Sequence, residues 1–153
     1  PDFKQKMVQI GYLARTANPL GIDTPKIACI APSEQLLPNV ISSTEGALLA
    51  KMADRGQLGD VVVDGPLSLD VALYKEVAEH KKVRGSSVAG DPDCLLFPNL
   101  ESANVFFKSV SHLCGGELAA MVMGTKVPCV LTSRGDTSKT KLYSIALACL
   151  AAR

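Results

Sequence analysis

The chain contains no tryptophan, and aromatic residues make up only 5% of its 153 residues. That removes the stacking platforms on which single-stranded nucleic acids are held. It also lacks a dominant charge: 16 basic residues against 15 acidic ones leave a net charge of +1, too little to draw the protein onto nucleic acid or an anionic membrane. An anion would have to be bound locally. No apolar stretch approaches the roughly 18 residues of a membrane span, and no charged, apolar, small-residue series opens the chain as a signal peptide would. Neither G-x-x-x-x-G-K-[ST] nor G-x-G-x-x-G occurs, so nucleoside triphosphate and dinucleotide fingerprints find no support. No His or Cys pair stands at metal-ligand spacing, and none is predicted to hold a metal.

Cysteine is present in odd number. Cys29, Cys94, Cys114, Cys129 and Cys149 all lie in apolar runs, without a C-x-x-C pair. Such thiols are expected to be reduced and buried, as in a cytoplasmic protein, rather than bridged or zinc-bound. A catalytic cysteine stays open as the less favoured reading. His80 and His112 stand alone on predicted helices and are expected to face solvent. The missing initiator Met suggests that residue 1 is not the native start.

With 47% hydrophobic residues, the chain is long enough to bury roughly 70% of its unfolded surface, so a core needs no staples. Short β-branched runs alternate with helical patterns, the sign of βαβ units on a parallel sheet. The expected fold is α/β: a mostly parallel sheet of about five strands with helices on both faces. The strands are placed at Lys26 to Ala31, Asp60 to Asp64, Asp93 to Pro98, Ala119 to Met123 and Val127 to Thr132. Most are almost continuously apolar, as strands covered on both faces should be. Ser42 and Glu45 have capping-box spacing ahead of a helix that Gly56 can end. Further helices are predicted from Ser68 to Lys82, after Asn99, and from Thr137 to Ala152. The helix after Asn99 carries Glu101, Asn104, Lys108 and His112 as a polar stripe. Residues 1–25 form an N-terminal helical segment, with Met7 to Ala14 helical and Asn18 to Gly21 as its exit turn. Residues 26–153 form the α/β domain.

In such sheets function collects where strands finish and helices begin. Three ends carry polar signatures: Asp64-Gly65 before a turn, Asn99 with Asn104 and Lys108 beyond it, and "VLTSRGDTSKTK" at residues 130–141. In the third, Lys139 and Lys141 occupy the first helical turn, where cations are disfavoured. A bound phosphate would reverse that sign, welcomed by Arg134 and the hydroxyls of Ser133, Thr137 and Ser138. Alternatively the lysines point into water and the hydroxyls merely cap the helix.

The segments "KMADRGQ" (51–57), "VDGPLSLD" (63–70), "AGDPD" (89–93), "FPNLESAN" (97–104) and "KVPCVLTSR" (126–134) occur in order along the chain. Together they resemble the phosphate acetyl/butyryl transferase family, nearest its phosphate butyryltransferase branch, over the C-terminal half of that family's length. The resemblance implies reversible acyl transfer between acyl-CoA and inorganic phosphate, giving acyl phosphate and free coenzyme A, with no metal or prosthetic group. It implies two α/β domains of the isocitrate/isopropylmalate dehydrogenase-like type, a homodimer, and an active site in the cleft between domains. Residues 1–25 would then be the remnant of a missing N-terminal half.

Ser133 and Arg134 map onto the family's site, with Asp136 as the acid in the loop where Thr140 replaces a proposed aspartate base. Thr132, Thr137, Ser138, Asn104 and Lys108 are expected to contact phosphate or acyl group, and Asp64, Gly65, Asp91 and Asn99 to shape the cleft. Two alternatives belong to other classes: a non-catalytic phosphate-binding or dimerisation module, and a dehydrogenase of related fold, for which the metal carboxylates and nucleotide loop are lacking.

Overall fold

The computed structural model describes residues 1–152. The chain divides into two compact units, Pro1–Leu100 and Glu101–Arg153.

Unit 1 begins with helix α1, Phe3–Ala17. Asp2 and Gln5 cap it reciprocally, each side chain bonding the other's backbone N–H, which satisfies two otherwise orphan donors. A 3₁₀ turn over Asn18–Leu20 ends at Gly21, whose φ of +89° suits glycine. Three strands follow: β1 (Lys26–Ile30), β2 (Val62–Leu67) and β3 (Cys94–Leu96). They form one sheet in the order β2-β1-β3, and both pairings are parallel. Helix α2, Ile41–Asp54, connects β1 to β2. The short helices α3 (Leu69–Leu73) and α4 (Lys75–His80) connect β2 to β3.

Alternation along β1 sorts the core into two layers. Ile27 and Cys29 pack with Ile10 of α1, Leu49 of α2, Val63 and Leu96. Ala28 faces the opposite way, with Leu67, Val71, Ala72, Ala78 and Val88. Helices therefore cover both faces, as predicted. Five strands are not found among the described residues: the sheet has three.

The two missing strands fall in unit 2, which holds α5 (Leu100–His112) apart from its first residue, and α6 (Ser138–Ala151). There, Ala119 to Met123 and Val127 to Thr132 are joined only by an antiparallel bridge between Val122 and Cys129. A strand needs a neighbouring ladder, and Pro128 removes one donor. The apolar runs are present, but among the described residues of this unit no ladder extends that single bridge. Ser144 is the only buried residue described in unit 2, while Leu113, Val127 and Leu131 are well exposed.

Two helix boundaries also differ from expectation. Val40, not Ser42, precedes the first turn of α2, and no side chain caps it. Glu45 is drawn away by Lys6, which is only 5% exposed and forms an ion pair with it. The helix expected from Ser68 to Lys82 breaks at Tyr74, whose backbone is extended. Gly90 packs against the break: its N–H donates to the Ala72 carbonyl at 2.9 Å, and a Cβ there would lie 2.4 Å from the Lys75 Cα.

Breaking a buried pair by removing one partner leaves a charge without compensation, at a cost of about 3–5 kcal/mol. Lys6→Met should lose stability on that scale in urea unfolding, whereas Lys6→Met combined with Glu45→Met recovers most of it. A neutral single substitution would show that the pair does not hold α1 to α2.

Candidate functional site

In unit 1 the predicted residues lie at or near the carboxyl ends of the strands, with one exception. Ala28 opposes Asp64 while Ile30 opposes Leu67, so β2 carries one extra residue at Gly65-Pro66, a bulge that turns the strand end. Asp64 accepts the Gly65 N–H at 2.8 Å. Gly65 has no room for a side chain, since a Cβ would come within 2.6 Å of the Cys29 Cβ. Asn99 is exposed, three residues beyond the end of β3. Asp91 is the exception: it pairs with Lys26 at 2.6 Å, at the amino end of β1. The structure therefore does not bring Asp91 to the end where Gly65 and Asn99 lie.

Beside that bulge stands a cluster that local spacing does not reveal. The Ser68 hydroxyl donates to Glu34 at 3.2 Å, and the Lys81 ammonium reaches Ser68 at 3.3 Å, Asp70 at 3.0 Å and Glu34 at 3.6 Å. The Ser68 hydroxyl first, and Lys81 second, push the Asp70 carboxyl down to about 2. The Asp70 hydrogen bond in turn raises the Lys81 ammonium above its ordinary range. Cys29 and Cys94 are poor nucleophiles, since burial pushes them up to about 12 and about 11; Cys114 and Cys149 are exposed and Cys129 is half-buried, so the burial expected of all five thiols is not found.

In unit 2 the loop 132–137 is a tight turn. The Ser133 N–H donates to the Asp136 carboxylate at 2.7 Å, and the Asp136 N–H donates to the Ser133 carbonyl at 3.1 Å. Arg134 sits at the apex, exposed, and its guanidinium has no partner among the described residues. Thr137 is the N-cap of α6, with its hydroxyl accepting the Thr140 N–H at 3.1 Å. Asp136 thus secures the turn and leaves the cap to Thr137. Ser138 opens the helix, exposed, and Thr132 is half-buried at the start of the loop. On α5, Asn104 is exposed, and Lys108 is half-buried with its ammonium 5.0 Å from the Phe107 ring centre.

The cations in the first turn of α6 point to an anion, and for Lys139 the structure supplies it. Glu117 forms an ion pair with Lys139 and also accepts the Tyr143 hydroxyl at 3.0 Å. The Lys139 hydrogen bond, then that of Tyr143, lowers the Glu117 carboxyl below its ordinary range. The polar groups of this loop therefore do not converge on one point: Thr137 caps, Lys139 turns to Glu117, and Arg134 stays free. A cavity of about 260 Å³ opens beside them, lined in part by Glu117, Asp136, Thr137, Lys139, Thr140 and Tyr143. Lys139 and Lys141 together signalled that an anion was missing. Glu117, twenty-two residues from Lys139, could not be identified from spacing. Among the described residues no group of three or more His, Cys, Asp or Glu side chains is placed to hold a metal, and no helix is long and apolar enough to cross a membrane.

Residues 1–149 match the family described as "Phosphate acetyl/butaryl transferase". The chain is 45% identical over 152 residues to a phosphate butyryltransferase of Clostridium beijerinckii, covering 99% of this chain and 50% of that protein. It is 42% identical over 147 residues to a phosphate acetyltransferase of Thermotoga maritima, covering 96% of this chain and 50% of that protein. Among solved structures it is similar to a branched-chain phosphotransacylase from Enterococcus faecalis V583, with a TM-score of 0.90 and 30% identity, covering 100% of this chain and 54% of the other. The chain thus spans about half the length of the curated relatives it matches.

Asp70 gives the site a pH signature. Its carboxyl is lowered from 3.8 to about 2, so its contribution to stability is present above the unfolded value and is lost as pH falls through the folded one. Thermal unfolding of wild type and Asp70→Asn should differ fully above about pH 4, and the gap should close as pH approaches 2. A gap independent of pH would remove Asp70 as its source.

Proposed function

The chain belongs to the phosphate acetyl/butyryl transferase family, and from that premise we propose that it carries part of the machinery for reversible acyl transfer between coenzyme A and inorganic phosphate. The observation that carries this reading is Arg134, an uncompensated guanidinium presented at the apex of a turn that Ser133 and Asp136 hold rigid. A guanidinium fork suits two phosphate oxygens at once.

Arg134 holds inorganic phosphate, or the phosphoryl group of an acyl phosphate. A phosphate oxygen attacks the thioester carbonyl carbon, a C–O bond forms, and the C–S bond breaks to release the coenzyme A thiolate. The Ser133 hydroxyl donates to the developing oxyanion or to the departing sulfur. In the reverse direction the thiol gives up its proton and attacks the acyl carbon, and phosphate leaves. Asp136, whose carboxylate secures the turn, is the acid in that loop able to take the proton. Much of the acceleration comes from holding both substrates together. No metal or prosthetic group enters this scheme. Thr132, Thr137, Ser138, Asn104 and Lys108 supply further polar contacts, and Asp64, Gly65 and Asn99 shape unit 1's share of the site. Asp91, committed to Lys26, is left out.

Catalysis by this chain alone is proposed to be weak or absent. Unit 2 carries the Ser133-Arg134 turn yet buries no apolar side chain among its described residues, and β-branched runs with a single bridge between them lack the neighbours that would hold them. The remaining half of a full-length family protein would supply those neighbours and the other wall for coenzyme A and the acyl group, in a cytoplasmic homodimer. A non-catalytic phosphate-binding or dimerisation module is the second reading, favoured by the half-length.

Release of free thiol from butyryl-CoA, with and without phosphate, separates these. The chain alone should stay near background, and addition of the complementary half of a family relative should produce phosphate-dependent release. Robust turnover by the chain alone contradicts incompleteness; no release from the reconstituted pair favours the binding module. Arg134→Ala should abolish thermal protection by phosphate and acetyl phosphate and cut the reconstituted rate roughly 100-fold or more. Phosphate protection that survives this change removes Arg134 from the site.

A further inference from the structure

Lys82 stands where a helix usually ends in glycine. The Lys82 N–H donates to the Glu79 carbonyl and the Val83 N–H to the Ala78 carbonyl, both at 3.0 Å. These are the paired bonds that close a helix on a left-handed residue. Lys82 has φ +57°, and every other positive-φ position among the described residues is glycine. A lysine costs stability there, and what it adds is a long cation directed into solvent.

The loop that carries it is pinned on both sides. Upstream, Lys81 is moored by Glu34, Asp70 and Ser68. Glu34 follows β1 and Ser68 follows β2, so the loop lies at the carboxyl end of the sheet, where the Gly65 bulge also lies. Downstream, the Ser86 hydroxyl accepts the Val88 and Ala89 N–H groups at 3.2 and 2.9 Å, and Val88 is fully buried. Between the pins Lys82 and Arg84 are exposed and form no ion pair or hydrogen bond through their side chains among the described residues. Lys81 occupies Glu34 and Asp70, and Glu76 and Glu79 of α4 pair with neither Lys82 nor Arg84. Two uncompensated cations, two residues apart on a fixed loop, suit an anion carrying more than one phosphate.

We propose that Lys82 and Arg84 bind the nucleotide phosphates of the coenzyme A substrate. This rests on the acyl-CoA reading above, because among the substrates of that reaction only coenzyme A carries phosphates remote from the reacting carbon. Contacts so far from the chemistry strengthen binding without changing the reacting bonds.

Calorimetric titration and thermal shift of the 153-residue chain test this with coenzyme A, dephospho-coenzyme A, adenosine 3′,5′-bisphosphate and inorganic phosphate as separate probes. Coenzyme A and the bisphosphate should bind more tightly than dephospho-coenzyme A. Lys82→Gly should raise the ligand-free Tm by about 2–4 °C, as relief of a left-handed lysine would, and weaken coenzyme A roughly tenfold. Arg84→Gln should weaken coenzyme A comparably at unchanged Tm, which guards against a folding effect. Inorganic phosphate should be unaffected by either change. Wild-type affinity for coenzyme A in Lys82→Gly/Arg84→Gln, or equal affinity for dephospho-coenzyme A, overturns the assignment while leaving the acyltransferase reading in place. Protection by phosphate without any by coenzyme A also overturns it. Protection by no probe overturns the assignment as well, and thiol release by the reconstituted pair then decides the acyltransferase reading by itself.

Discussion

Parallel pairing of β1 with a strand on each side is the constraint on which the described structure depends. A parallel strand is covered on both faces, and β1 meets that demand with Ile27 and Cys29 to one side and Ala28 to the other. Because the three strands run the same way, their carboxyl ends lie together, and the connecting loops begin there. The bulge at Gly65-Pro66 and the Ser68–Lys81 cluster sit at that end because the topology puts them there. The Lys6–Glu45 pair ties α1 to α2 over one face of the same sheet.

Unit 2 has no such sheet among its described residues. Its loop at 132–137 is well made locally: Ser133 and Asp136 close the turn, Thr137 caps α6, and Ser144 bonds both the Thr140 carbonyl and the Ala120 N–H. Yet Leu113, Leu131 and Val127 remain largely in solvent. The bonds of this loop and cap join residues within four positions of each other. Burial of β-branched runs requires partners from elsewhere. The chain spans about half the length of the relatives it matches, and these side chains are exposed among the described residues of unit 2.

Much of unit 1 was legible in the sequence because its strands are short apolar runs bounded by charge and followed by amphipathic helices. The family resemblance was legible for the same residues, which combine strand ends with glycine, proline and acid. What could not be read depended on partners far along the chain. Ser42 and Glu45 have the spacing of a capping box, but Glu45 serves Lys6, thirty-nine residues away. The helix after Ser68 has an unbroken apolar period, but it breaks at Tyr74, where Gly90 packs against it and bonds the Ala72 carbonyl. Lys139 and Lys141 announced a missing anion without naming Glu117. The strands expected at 119–123 and 127–132 had the right composition, and composition alone does not supply a ladder.

An account in which unit 1 is a packed framework and unit 2 carries a formed loop on unpacked segments is tested most directly by hydrogen exchange at individual backbone amides. In the chain alone, amides of Ile27 to Cys29 should be strongly protected, and those from Ala119 to Thr132 should exchange close to intrinsic rates. Adding the complementary half of a family relative should protect the second group. Protection of residues 119–132 in the isolated chain equal to that of β1 would contradict the account.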